Sequence, residues 1–153
     1  MSTYAQWTRL TPAEKAYIAT HPLDAPIIKE SKDTAFNETA RRFGVNGHND
    51  ASDAFRHCFW SAILARDLGY FNAYQFTTAH ESSPTNDPAE KRMDLHNNSV
   101  GLKIGRTAGF IRTSPFGLPD PGGFLARRLI FSNQTLSDKC MTALRNGELI
   151  TSP

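Results

Sequence analysis

Apolar positions along the chain recur at helical spacing, and short polar clusters punctuate them. Thr11-Pro12-Ala13-Glu14 reads as a capping box with proline in the first turn, opening a short helix that stops before His21-Pro22. After Pro26, the stretch Ile27 to Phe43 reads as a second helix, closed by Gly44. The turn Asn46-Gly47-His48-Asn49-Asp50 is rich in capping residues and launches the strongest helix, Ala51 to Leu68, closed by Gly69. Asn72 to Glu81 is a fourth helix, ended by Pro84. Asp87-Pro88-Ala89-Glu90 repeats the capping pattern and starts a helix that runs to about Arg106. Residues 107–123 are rich in Gly, Pro and Ser and predict a long loop. Phe124 to Phe131 and Ser137 to Arg145 supply the last two helices, with Gly147 behind them.

Composition agrees with this pattern. The chain holds 17 alanines and two valines, Val45 and Val100, whereas strands favour β-branched residues. The expected fold is all-α: a compact bundle of six to seven helices in a single domain over 1–153. Its motif-bearing core covers about 10–106 and its basic third 107–153. At 153 residues it can bury a core without disulfide or metal staples. No apolar run approaches the roughly 20 residues that span a bilayer. Met1 to Leu10 lacks the charged start, apolar centre and small-residue cleavage site of a signal peptide. The expectation is synthesis in the cytoplasm, with any export through a dedicated secretion system. Cys58 and Cys140 are too few for a disulfide framework and read as reduced thiols. Charge is uneven: from Leu95 to Arg145 seven basic residues face only Asp120 and Asp138, although the whole chain is net +2. Such a stretch suits a phosphate-bearing substrate or anionic lipid, or else solvated helix faces.

Three helices carry polar residues where apolar ones belong. On a helical wheel Asp53, Arg56, His57, Trp60 and Leu64 share one face of Ala51 to Leu68, with Phe55, Phe59 and Ala62 opposite. Apolar residues on both sides mean a buried helix, so Asp53, Arg56 and His57 must be paired. In the helix after Pro88, Asp94, Asn97, Asn98, Gly101 and Gly105 fall in one narrow sector. Asparagines and glycines both weaken a helix interior, glycine by roughly 1 kcal/mol relative to alanine. A backbone or ligand approaching that face closely accounts for them. His96 lies opposite, with Val100 and Lys103, and falls outside the site. In the string Thr77 to Ser82, His80 shares a face with Phe76, Thr77 and Ala73. Glu81 turns aside from that face but is kept as a catalytic candidate.

Asp53, His57, His80 and Asp94 form a mixed nitrogen and oxygen set suited to a divalent first-row metal, zinc first. The same residues fit a site without cofactor, in which His57, His80, Asp94 and Glu81 exchange protons. Arg56, Asn97 and Asn98 are the candidate substrate-binding groups. Taken singly, each feature is also what a structural polar contact or a histidine capping a helix would produce. Nucleophile elbows, Walker loops, dinucleotide fingerprints and paired Cys-x-x-Cys motifs are absent.

At these residues a resemblance enters. Asp53-Ala54-Phe55-Arg56-His57, then Ala79-His80-Glu81, then Met93-Asp94-Leu95-His96-Asn97-Asn98-Ser99-Val100-Gly101 resembles an uncharacterised bacterial domain. That domain occurs as small stand-alone proteins and at the C-termini of Rhs-type and wall-associated repeat proteins. Leu10 to Glu14 and Gly44 to Gly47 are also similar, so the likeness spans about 10–106. It implies an interbacterial effector toxin with a cognate immunity protein and a secretion-system carrier, and it names no reaction. The expectation is a hydrolase acting on a phosphate ester or a cell-envelope substrate, phospholipid or peptidoglycan. A nuclease toxin, with nucleic acid as partner, and a non-catalytic helical module whose polar cluster is structural stand as alternatives.

Overall fold

In a computed structural model, residues 7–106 and 121–153 are described, the latter with side chains from 125 onward. Helix α1 (Pro12–Thr20) starts at a complete capping box: Thr11 Oγ1 accepts from the Glu14 amide while Glu14 accepts from Thr11 N. A 3₁₀ turn at Pro22–Asp24 leads into α2 (Ala25–Phe43), which ends at Gly44 in the left-handed conformation, φ 74°. Helix α3 (Ala51–Leu68) is capped by Asp50 and α4 (Tyr70–His80) follows at once. Only Gly69, at φ 82°, separates them. Then come α5 (Pro88–Arg106), α6 (Pro121–Ile130) and α7 (Asn133–Arg145). Among the described residues there is no strand, and no helix is long and apolar enough to cross a membrane.

Some boundaries differ from those the sequence predicts. Helix α2 begins two residues earlier than Ile27, because Pro26 is tolerated within a first turn. Helix α4 begins directly after Gly69 rather than at Asn72. Helix α7 begins at Asn133, not Ser137, because Ser132 Oγ accepts from the Thr135 amide and caps it. The predicted loop at 107–123 lies outside the described residues as far as 120, while Pro121–Gly123 are the first turn of α6.

The fold is organised around α3. Most of its residues are buried, and it packs against α2, α4, α5, α6 and α7. Phe55, Phe59 and Leu64 are fully enclosed, with Phe76 from α4, Met93 and Leu102 from α5 and Leu136 from α7. At its C-terminal end the buried Arg66 forks onto Asp67 and also reaches Phe131 O and Asn133 Oδ1, tying α3 to the α6–α7 junction. The closest contact is between α3 and α5. A Cβ built on Gly101 would lie 2.0 Å from the Cys58 carbonyl oxygen, and one on Gly105 would lie 2.2 Å from that of Ala62. Glycine at these two positions lets the backbones touch, which sets the distance between side chains of α3 and α5 one turn further along.

Candidate functional site

His57 sits where α3, α4 and α5 meet, and its ring orientation follows from its neighbours. Asn98 donates through Nδ2 to Glu81 Oε1 at 3.0 Å, and its Oδ1 accepts from Ser61 Oγ at 2.9 Å. That amide oxygen faces His57 Nδ1 at 3.3 Å. A carbonyl oxygen can only accept, so the neutral imidazole carries its proton on Nδ1 and leaves Nε2 with a lone pair. Nε2 looks toward Asp53 Oδ1 at 3.6 Å and Asp94 Oδ1 at 3.5 Å. Asp94 Oδ1 is buried and has no hydrogen-bond partner.

His57 Nε2 and Asp94 Oδ1 thus meet Asp53 Oδ1, and of these three atoms the Asp53 oxygen alone is held by a donor, the Arg56 guanidinium. Asp53, His57 and Asp94 each offer one ligand atom, and these lie within 4.8 Å of one another. Ligand atoms on a tetrahedral centre with bonds of about 2.0–2.2 Å are roughly 3.3–3.6 Å apart. The His57–carboxylate separations are long for hydrogen bonds and suited to a cation held between them. The Nδ1–H held by Asn98 is the outer contact that metal-bound histidines ordinarily make.

Charge in the cluster is regulated by burial. Burial drives His57 down to about 4 against the pull of Asp53, with His80 and Arg56 lowering it further. Asp94 is pushed up to about 7, first by burial and then by the negative charges of Glu81 and Asp53. Glu81 is raised as well, again mainly by burial. Asp53 is anchored by the Arg56 guanidinium and by Asn49 N at 2.7 Å. Arg56 also donates to Gly47 O at 3.1 Å and lies over the Phe36 ring. His48 approaches from solvent, 3.6 Å from Asp53 and 3.3 Å from Glu90.

His80 is held differently. Its Nδ1 is 2.7 Å from Glu14 Oε1, and its ring stands edge-on to Trp60, 6.5 Å from the ring of His57. Burial disfavours its charge, but the Glu14 hydrogen bond and the charges of Glu81 and Glu14 outweigh this and hold it above the usual histidine value. Burial raises Glu14, yet its bond to His80 wins and holds it below the carboxylate range. Beside both rings opens a cleft of about 150 Å³ lined by Lys32, Ala35, Phe36, Arg56, His57, Trp60 and His80.

The site residues read from the sequence therefore divide. Asp53, His57 and Asp94 come together as a group that could hold a metal ion, while His80 faces the same cleft paired with Glu14. Asn98 supports His57, whereas Asn97 spends both amide atoms on Ile150, accepting from its N–H and donating to its carbonyl oxygen. His96 is exposed on the other side, 2.8 Å from Glu148 O. The expectation that Glu81 turns aside is corrected: it is buried against Asn98 and His57, because α4 ends at His80 and the chain bends inward. Glu14, Ser61 and Lys32 were not legible as site residues. The only signal at Glu14 is the capping box, which explains it without a site.

No curated protein and no solved structure matches the chain. One family model does, over residues 15–113, and it agrees with the likeness to an uncharacterised domain. That match covers more than half of the chain and all three motifs, and it assigns the protein to the family described as "Domain of unknown function (DUF6973)".

Proposed function

We propose that the protein is a metal-assisted hydrolase of phosphate esters. The observation that carries this reading is the convergence of Asp53, His57 Nε2 and the unpartnered, buried Asp94 Oδ1 on one point. One nitrogen and two carboxylate oxygens suit zinc or manganese. A divalent cation held by these three residues would make a water molecule nucleophilic near neutral pH. Arg56 and Lys32, both lining the cleft, would neutralise the phosphoryl oxygens. His80, with Nδ1 fixed by Glu14, presents Nε2 as proton donor to the departing ester oxygen. Water would add its oxygen to phosphorus and lose one proton to solvent as the ester P–O bond breaks, and the leaving oxygen would take the His80 proton.

The cations that support a phosphate substrate are the two that line the cleft, Arg56 and Lys32. In the basic C-terminal third, Arg128 pairs with Asp67 and Glu30. The resemblance to domains at the C-termini of Rhs-type proteins supports an antibacterial effector delivered by a dedicated secretion system and neutralised by an immunity protein. The test is metal content, followed by hydrolysis of phospholipid vesicles and of simple phosphodiesters with and without a chelator. Stoichiometric metal and chelator-sensitive release of phosphorylated product are expected. A chain that takes up neither zinc nor manganese sinks this reading and leaves the cofactor-free acid–base site and the structural polar network.

A further inference from the structure

Cys58 and Cys140 are the only cysteines of the chain and stand 82 residues apart in sequence, one on α3 and one on α7. Their sulfurs meet at 2.8 Å, and both side chains are fully buried. No third group lies between them. Two unbonded thiols gain little from such close approach, since S–H is a weak donor and sulfur a weak acceptor. We propose that Cys58 and Cys140 are a cross-link site, joined as a disulfide when the chain folds in an oxidising compartment.

The bond forms by exchange with a low-molecular-weight disulfide such as oxidised glutathione. One cysteine thiolate attacks the oxidant and releases one thiol, leaving a mixed disulfide. The second cysteine, as thiolate, then attacks the protein sulfur of that mixed disulfide and releases the second thiol. The two protons given up as the cysteine thiolates form are taken up by the two departing glutathione thiolates, so the oxidant is reduced to two thiols. Full burial closes both sulfurs to an oxidant in the folded state, so exchange belongs to the folding chain, and the finished bond is shielded from reductant.

The consequence is architectural. Helix α7 follows the segment 107–120 and packs on α3 beside the turn that carries His57. A cross-link closing so long a loop constrains the unfolded chain strongly. It also makes the fully stabilised molecule one that exists outside a reducing cytoplasm. None of this depends on the metal reading, which could fail independently.

The test uses the full chain, unfolded with reductant and refolded in reduced and oxidised glutathione mixtures. Expected is a monomer lighter by two hydrogen atoms, with no alkylatable thiol after denaturation and a Cys58–Cys140 peptide in the digest. Its thermal midpoint should exceed that of the reduced chain by several degrees, and Cys140→Ala should abolish the shift. Refolded protein that still alkylates at both cysteines, that carries glutathione on each, or that melts below the reduced chain overturns the proposal.

Discussion

Two histidines share one cleft and are tuned in opposite directions. His57 is enclosed by α3, α4 and α5, receives no hydrogen bond that favours a charged ring strongly enough to offset burial, and is lowered to about 4. His80, a neighbour at 6.5 Å, has a carboxylate at hydrogen-bond distance from Glu14 and is raised. In the proposed function this difference would let one side-chain type serve two tasks: a neutral nitrogen for a metal, and a charged one that can give up a proton. Burial is common to both sites. What separates them is whether a carboxylate reaches the ring closely enough to outweigh it.

The comparison can be broken most severely at His57. His57→Ala should abolish metal uptake and hydrolysis while helical circular dichroism persists. Equal loss of activity and helicity would make the cluster a structural one. Gly101→Leu comes next, because it strikes only the His57 half of the cleft. The added side chain meets the Cys58 carbonyl, so the overpacking should cost about 1–3 kcal/mol and lower the thermal midpoint by roughly 2–4 °C per kcal/mol. Metal affinity should fall with it as Asp94 and Asn98 shift, whereas the Glu14–His80 pair stays intact. An upward shift in the melt, as for an exposed mid-helix glycine, would remove α5 from the site.

Glu14→Gln sharpens the His80 half. Glutamine keeps the capping box but loses the charge. Hydrolysis should fall about 10²-fold, within the usual range for a displaced acid–base group, with metal content unchanged. The His80 imidazole signals in NMR should titrate at lower pH than in the unaltered chain. The pair also gives stability a pH window. His80 is raised, so its contribution is complete below its unfolded value of about 6.5 and is lost as pH rises through the folded one. Glu14 is lowered, so its contribution holds above about 4.5 and disappears on acidification through its depressed value. Chemical denaturation of the two chains across that window measures the difference. The smallest effect is expected at His96→Ala: a change within about 0.5 kcal/mol and unaltered hydrolysis, since the residue is exposed beyond the site. A loss matching that of Asp94→Asn would overturn the assigned phase of α5.

Helix number and phase were readable because caps and periodicity are local. Asp53/His57 and Asp94/Asn98 share faces by spacing alone, and Gly101 and Gly105 announced a close backbone approach. What escaped was long-range. Asn97 and Asn98 are adjacent and look alike, yet one meets Ile150 and the other His57, because the C-terminal segment covers one side of α5. Glu14 and His80 are 66 residues apart, and nothing at either position points to the other. The close pairing of the two cysteines is equally invisible without the packing of α7 on α3.

Glu14 divides its carboxylate between two tasks. One oxygen accepts from Thr11 N at 2.6 Å, while the other meets His80, and Thr11 Oγ1 donates to Ala79 O at 2.9 Å. The first turn of α1 is thus bolted to the last turn of α4, and α1 cannot fray without releasing the imidazole. In hydrogen–deuterium exchange the two turns would open as one cooperative unit, so the rate at which α1 breathes limits how long His80 stays in register.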